Sequence, residues 1–151
     1  METNLAFLCF DITRLFRKRF AEAARSIGGT GAQWRSLLIL ERRPGINQGA
    51  LAEHLDVEPI TACRMIDRLE QAGLVERRRD PDDRRVWQLF LTKDAEPFVA
   101  ELNEIGHRAL AQATANLNDE EIAGLVAGLE KVRDGIASLD ECRKPAEADN
   151  G

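Results

Sequence analysis

The sequence is short of the residues from which metal, disulfide and catalytic sites are usually built. Its 151 residues include only two histidines, His54 and His107, and three cysteines, Cys9, Cys63 and Cys142. An odd number of cysteines without a CxxC spacing indicates neither a disulfide framework nor a zinc cluster. No paired carboxylates and no nucleophile–base set stand out. We therefore predict that the protein is not an enzyme and uses no metal or other cofactor.

Long apolar runs are also missing. The N-terminal run Leu5 to Phe10 is broken by Asp11 and followed by basic residues, which is the reverse of a secretory signal. It is far shorter than the ~20 apolar residues of a membrane span. We therefore expect a cytoplasmic protein with no membrane partner. Aromatic residues make up only 5% of a chain that is 44% hydrophobic and 31% charged, which favours a helical core rich in leucine and alanine.

The net charge of −5 is unevenly distributed. Residues 1–43 carry eight basic and four acidic residues (+4), residues 58–93 carry eight and seven (+1), and residues 95–151 carry five and twelve (−7). In the middle segment the arginines fall in two runs, at 77–79 and 84–85. Because local charge decides what a face binds, the acidic total does not exclude a nucleic-acid partner.

Apolar spacings of three and four residues predict six helices. The first spans about Asn4 to Ile27, and the second begins after Thr30 and ends at Pro44-Gly45. A third runs from Asn47 to Leu55, and a fourth from Glu58-Pro59 to just before Gly73. After Gly73 the pattern indicates a hairpin with its turn at Asp80 to Asp83 and a second strand from Val86 to Leu91.

Helical spacing resumes after Thr92, whose hydroxyl we expect to cap the fifth helix. The last helix carries an apolar seam from Ile122 to Leu139, which predicts helix pairing, either between two chains or within one. The predicted fold class is mainly α with a small β-hairpin wing, a winged helix-turn-helix with a helical dimerisation lobe. We assign residues 30–93 to the DNA-binding domain, 1–29 and 94–143 to the dimerisation region, and 144–151 to a disordered tail.

This order of elements predicts a DNA-binding surface, because the second helix of a helix-turn-helix lies in the major groove. The candidate base readers at its start are Pro59, Ile60, Thr61 and Arg64, with Arg64 suited to guanine O6 and N7. The alternative for Arg64 is a surface salt bridge with Glu58 or Asp67. The candidate phosphate contacts are the helix start at Asn47 and Gln48 and the side chains of Arg68, Arg77, Arg79 and Arg84.

The hairpin tip predicts a second kind of contact. An arginine on a narrow ribbon can enter the minor groove, and Asp83 is placed to hold the guanidinium of Arg85 by a charge-assisted bond. The alternative is that the arginines of the hairpin form only a solvated charged surface.

The motifs Leu51-Ala52-Glu53, Val57 to Thr61, Asp67 to Glu70 and Gly73 to Arg77 resemble the MarR family, in particular its SlyA-like branch. Asp80 to Arg85 is also similar, with the family's Asp-x-Arg at Asp83 and Arg85. The resemblance covers about residues 5–140. It implies a homodimeric regulator of transcription, a repressor or an activator, that presents two winged helices to a pseudo-palindromic operator on double-stranded DNA.

The resemblance also implies an effector, and we expect a repressor that releases DNA when a small aromatic or phenolic ligand binds. Such a ligand would occupy a crevice beside the first two helices, near Phe16, Trp34 and Arg35, although Trp34 is also a natural core residue. Two alternatives remain. One is redox sensing through Cys9 or Cys63, although the cysteine of peroxide-sensing relatives aligns with Ala6. The other is a winged-helix adaptor that binds protein.

Overall fold

Six α-helices and one hairpin follow one another in the predicted order. The structure is a computed structural model and describes residues 4–141. Its elements are α1 (Leu5–Ala23), α2 (Gly31–Arg42), α3 (Gln48–Leu55), α4 (Pro59–Gln71), β1 (Val75–Arg79), β2 (Trp87–Leu91), α5 (Glu96–Ala113) and α6 (Asp119–Glu141). The predicted mainly α fold with a small β-hairpin wing is confirmed. The disordered tail predicted at 144–151 lies outside the described residues, as does Cys142.

The helix boundaries follow from capping residues in the sequence. The side chains of Thr30 and Asn47 accept hydrogen bonds from free backbone amides at the starts of α2 and α3. Gln33 completes the cap of α2 by accepting a bond from the amide of Thr30. At the end of α4, Gly73 has a φ of +74°, and the amide of Leu74 donates to the carbonyl of Leu69. This is the left-handed ending that favours glycine.

Thr92 does not cap a helix as expected. Its hydroxyl donates to the carbonyl of Gly73 at 2.6 Å, and its amide donates to the carbonyl of Leu74. A short 3-10 helix, Lys93–Ala95, starts without a side-chain cap and leads into α5. Thr92 therefore joins the end of β2 to the turn between α4 and β1, because the hairpin brings these two ends together.

The hairpin has an additional neighbour that the sequence did not predict. Strands β1 and β2 are antiparallel, with Val75 opposite Leu91 and Arg79 opposite Trp87. The segment before α3 lies along the other edge of β2, where the amide of Leu89 donates to the carbonyl of Ile46 and the amide of Gly45 donates to the carbonyl of Leu89. The start of α3 is thus tied directly to the wing.

Residues 4–110 belong to one compact unit, and residues 111–141 belong to a second. The core of the first unit is formed by side chains from α2 to α5, among them Leu37, Leu40, Leu51, Leu55, Ile66, Leu89 and Leu102. In the second unit, α6 begins at a reciprocal cap between Asn118 and Glu121. No described helix has the length and apolar character needed to cross a membrane.

Candidate nucleic-acid interface

Helix α4 has a buried face and an exposed face. Ala62, Met65, Ile66 and Leu69 point into the core, while Pro59, Ile60, Thr61 and Arg64 are exposed at the start of the helix. We refer to these four exposed residues as the reading face. Ile60 is 60% exposed, which is unusual for a large apolar side chain and leaves it available for apolar contact. The helix has two distinct faces because residues three and four apart lie on the same side of a helix.

Arg64 has no salt bridge in the part of the chain that the structure describes. Asp67, the rival partner considered for it, is bonded to Arg77 instead. A cavity of about 300 Å³ separates the reading face from the start of α2, and Arg64 and Arg68 line it together with Thr30, Ala32, Gln33, Thr61 and Met65. The guanidinium of Arg64 is therefore free to donate to an external acceptor.

Arg77 is held inside the domain instead of projecting outward as a phosphate contact. Its guanidinium donates to Asp67 Oδ1 at 2.6 Å, to a carboxylate oxygen of Glu70, and to Gln48 Oε1 at 3.4 Å. The side chain is only 15% exposed. We call these four residues the Arg77 cluster. It joins β1, α4 and the first residue of α3, so one side chain connects all three elements that were predicted to contact DNA.

The surroundings of Arg77 in the cluster favour the charged form of its guanidinium. Burial alone would lower the pKa of Arg77, but the hydrogen bonds and negative charges of Asp67 and Glu70 outweigh it and raise the pKa above its ordinary value. The planar guanidinium can serve several acceptors at once, which a lysine ammonium does less well. The guanidinium of Arg77 therefore remains charged in the cluster.

The tip of the wing, residues 80–86, is ordered by two aspartates. Asp80 Oδ1 accepts the amides of Asp82 and Asp83 at 2.8 and 3.1 Å, and its Oδ2 accepts the side-chain amide of Gln88 at 2.7 Å. The backbone bonds from Asp83 and Asp82 are the main reason that the pKa of Asp80 lies below its ordinary value. Asp80 therefore accepts these bonds as a carboxylate.

Asp83 acts on the backbone of Arg85, not on its guanidinium. Its Oδ1 accepts the amide of Arg85 at 2.9 Å, as aspartate side chains often do two residues ahead in a turn. The expected charge-assisted bond to the guanidinium is absent from the described part of the chain, where Arg85 is exposed and has no ion pair. Asp83 thus fixes the position of the Arg85 backbone while the side chain stays available.

Two further arginines of the hairpin, Arg78 and Arg79, have their binding partners within the hairpin itself. Arg79 stacks on the ring of Trp87, 3.8 Å from the ring centroid, and donates to the carbonyl of Arg84 at 2.5 Å. Arg78 lies 4.4 Å from the centroid of Phe90 and pairs with Glu76. A guanidinium at this distance is attracted electrostatically to the face of the ring. Arg79, expected at a phosphate, therefore braces the wing tip, whereas the side chain of Arg84 is exposed.

A second cavity, of about 210 Å³, lies beside α1 and α2. Its walls are Phe16, Phe20, Leu38, Gly106 and Ala109, with the cations Arg17 and Arg35. Trp34, the third residue expected here, is instead 6% exposed in the core and stacked on Phe98. The reason is helical geometry, because neighbouring residues point about 100° apart and Trp34 shares the side of Leu37, whereas Arg35 shares that of Leu38.

The two described cysteines lie on separate elements. Cys63, on α4, has its Sγ 4.0 Å from Asp67 Oδ2, beside the Arg77 cluster. Cys9, on α1, lines an open cavity with Phe10, Thr13, Arg14, Arg17 and Asp56. Both are partly exposed, and they do not form a pair.

Three features of the site were missed by sequence reasoning. They are the Arg77 cluster, the role of Asp80 in the turn, and the stacking of Arg79 on Trp87. Asp67 and Glu70, spaced three residues apart on α4, were a usable signal, because such a pair faces one side of the helix and invites a cation. Arg17 was also missed as a lining residue of the second cavity.

Several proteins of known structure are similar to this chain in sequence and fold. The family model described as MarR family matches residues 30–87. The E. coli MarR mutant solved in complex with operator DNA is 27% identical, with a TM-score of 0.69 over 86% of this chain and 94% of that one. The repressor CouR bound to a 23-mer DNA duplex is 27% identical, with a TM-score of 0.69 over 85% and 92%. The regulator SlyA has the same fold at 23% identity, with a TM-score of 0.78 over 94% and 100%.

Replacing Arg77 with methionine should destabilise the protein, because Asp67 and Glu70 then face each other without a counter-charge. Loss of charged hydrogen bonds of this kind typically costs about 1–3 kcal/mol of unfolding free energy. Arg78→Met is the matched control, because Arg78 is 59% exposed and surface changes usually stay within about 0.5 kcal/mol. Urea denaturation measures both variants. Equal unfolding free energies would show that the Arg77 cluster does not stabilise the domain.

Proposed function

Since the chain belongs to the MarR family of transcriptional regulators, we propose that it represses transcription by binding operator DNA as a homodimer, through α4 and the wing. The observation that carries the proposal is that the unpaired arginines, Arg64 and Arg85, project from two braced elements of one domain. An ordered guanidinium without an internal partner is suited to an external acceptor, and DNA offers base edges and phosphates.

The reading face is proposed to enter the major groove. Arg64 would donate to O6 and N7 of a guanine, a contact typically worth about 1–3 kcal/mol of discrimination. Pro59 and Ile60 would contact a thymine methyl group, and Thr61 would bond to a base or a phosphate. Arg68, one turn along α4 and exposed, would reach the phosphate backbone. The free amides at the start of α3, beside Asn47 and Gln48, would hold another phosphate.

The wing is proposed to reach the neighbouring minor groove. Arg85 would enter the groove, where A·T-rich sequences concentrate negative potential, and Arg84 would contact a phosphate at its edge. Arg77 and Arg79 support this surface indirectly, because both are engaged within the domain. Asp83 contributes by fixing the backbone of Arg85.

A second copy of the chain is the proposed partner of two exposed apolar seams. On α6, Leu125, Leu129, Val132, Ile136 and Leu139 are 39 to 67% exposed. On α1, the residues at matching spacing, Leu5, Leu8, Ile12 and Leu15, are 42 to 50% exposed. Seams of this length are typical of helix pairing, and a two-fold dimer would present two reading faces to half-sites about one helical turn apart.

The cavity beside α1 and α2 is the proposed effector site, and we call it the effector cavity. Phe16, Phe20 and Leu38 give it apolar walls, and Arg17 and Arg35 give it positive charge. Its volume of about 210 Å³ suits a single substituted aromatic ring. A small aromatic carboxylate or phenolate fits this combination, and its binding would release the protein from DNA.

Selection of bound sequences from random duplex DNA is the direct test of the DNA-binding proposal. We expect a pseudo-palindrome with two half-sites. Arg64→Ala should relax preference at one base pair of each half-site. Arg85→Ala should weaken binding and reduce preference for A·T-rich flanks. If both variants match the parent in affinity and selected sequence at one salt concentration, neither residue reads DNA. A protein-binding adaptor would instead select no sequence.

Substitutions at Asp80 and Asp82 separate the effect of an ordered wing tip on DNA binding from the effect of negative charge. Removing a carboxylate near DNA reduces electrostatic repulsion. Asp82→Ala should therefore bind DNA equally well or slightly better, because the side chain of Asp82 makes no hydrogen bond or salt bridge within residues 4–141. Asp80→Ala removes the same charge and also three hydrogen bonds. We expect it to bind several-fold more weakly, as measured by fluorescence anisotropy of a labelled duplex. If both variants gained the same affinity for DNA, the result would contradict an ordering role for Asp80.

Leu129→Glu tests the proposed dimer. A charge placed in the α6 seam should shift the protein toward monomer at micromolar concentration, as measured by sedimentation velocity, and should weaken operator binding. Ala127→Glu adds the same charge on another side of α6 and is the control, because it lies about 200° around the helix from Leu125 and Leu129. A variant Leu129→Glu that stays as dimeric as Ala127→Glu would argue against this seam.

A further inference from the structure

Arg35 touches both the effector cavity and the helix-turn-helix. It lines the cavity with Arg17, and its Nη2 donates to the carbonyl of Leu55, the last residue of α3, at 3.4 Å. Carbonyls at the end of a helix have no partner within the helix and carry partial negative charge. The guanidinium therefore satisfies the end of α3 from the wall of a cavity that is open to ligands.

The end of α3 is the point from which α4 is positioned. Leu55 is buried, and the turn that follows leads through Asp56 and Val57 to Pro59 at the start of the reading face. Asp56 has a φ of +56°, a left-handed conformation that is uncommon outside glycine and costs free energy unless its surroundings hold it. A contact that satisfies the end of α3 thus helps to fix the turn between the two helices.

The charge around Arg35 is only partly balanced. Burial lowers the pKa of Arg35, the like charge of Arg17 lowers it further, and Asp56 acts in the opposite direction. Neither arginine forms a salt bridge within residues 4–141. Two cations that share an apolar cavity and have no salt bridge favour an anion between them, because Asp56 offsets their charge only in part.

We propose that Arg35 couples the effector cavity to the reading face, because an anionic ligand and the carbonyl of Leu55 compete for its guanidinium. When a carboxylate binds between Arg17 and Arg35, the guanidinium turns toward the full negative charge and leaves the end of α3 unsatisfied. The turn before α4 then loosens, and the reading face loses its fixed orientation. This coupling rests on the effector site proposed above, and it adds a role for Arg35 that Arg17 does not share.

The two arginines allow a matched experiment, because both line the cavity and only Arg35 contacts α3. Salicylate is the probe, and benzamide, a ring of similar size without the charge, is the control ligand. Operator affinity is measured by anisotropy at fixed salt, with and without saturating ligand, and salicylate affinity is measured by calorimetry. In the parent, salicylate should weaken operator binding by about 5- to 150-fold, the usual range of allosteric coupling, and benzamide should not.

Arg17→Gln should bind salicylate more weakly but, once saturated, should show the same loss of operator affinity as the parent. Arg35→Gln should bind the operator more weakly even without ligand, and salicylate should have little further effect. Arg35→Lys keeps the charge with a shorter reach and should be intermediate, and circular dichroism checks that each variant is folded. This pattern supports coupling through Arg35.

Two results overturn the coupling while leaving the effector proposal intact. One is an Arg35→Gln variant with the ligand-free operator affinity of the parent. The other is an Arg35→Gln variant with the full response to saturating salicylate. By contrast, a parent that binds the operator but does not respond to salicylate contradicts the effector proposal itself, and the coupling with it. The response of the parent tests the effector proposal, and the response of Arg35→Gln then tests the coupling, so the two failures are distinguishable.

Discussion

The relative placement of α3, α4 and the hairpin depends on the guanidinium of Arg77. A two-stranded hairpin is marginally stable by itself in water, and α3 has only eight residues, so neither holds its position unaided. Arg77 ties the hairpin to Asp67 and Glu70 of α4 and to Gln48 of α3. Because a guanidinium is planar and its donors are fixed in direction, these bonds restrict orientation as well as distance.

Contacts within the domain divide the arginines of the middle segment into two groups. Arg77, Arg78 and Arg79 are paired or stacked with other groups of the domain. Within residues 4–141, no ion pair is formed by Arg64, Arg68, Arg84 or Arg85. A count of charges in the sequence treats all of them alike. The structure implies fewer phosphate contacts than that count, and hence a shallower salt dependence of DNA binding, because each phosphate contact contributes separately to counterion release.

The sequence predicted the elements well and the partners of individual side chains less well. Helix boundaries were predictable because caps such as Thr30, Asn47 and Gly73 act within a few residues of themselves. The partners of Arg77, Asp83 and Thr92 were not predictable. Each depends on elements that meet only in the folded chain or on the detailed shape of a turn. Trp34 and Arg35 differ for a local reason, since neighbouring positions on one helix face different surroundings.

The position of the effector cavity follows from the packing of α1, α2 and α5, whose side chains line it. Helix α1 carries an exposed apolar seam and also the cavity residues Phe16 and Arg17, while α2 supplies Arg35 and contacts the end of α3. The cavity therefore lies where α1, the helix proposed to pair with a second copy, meets α2, which contacts the end of α3. In the proposed coupling, a ligand bound there would need only to redirect one guanidinium to change the orientation of α4, without moving the buried core.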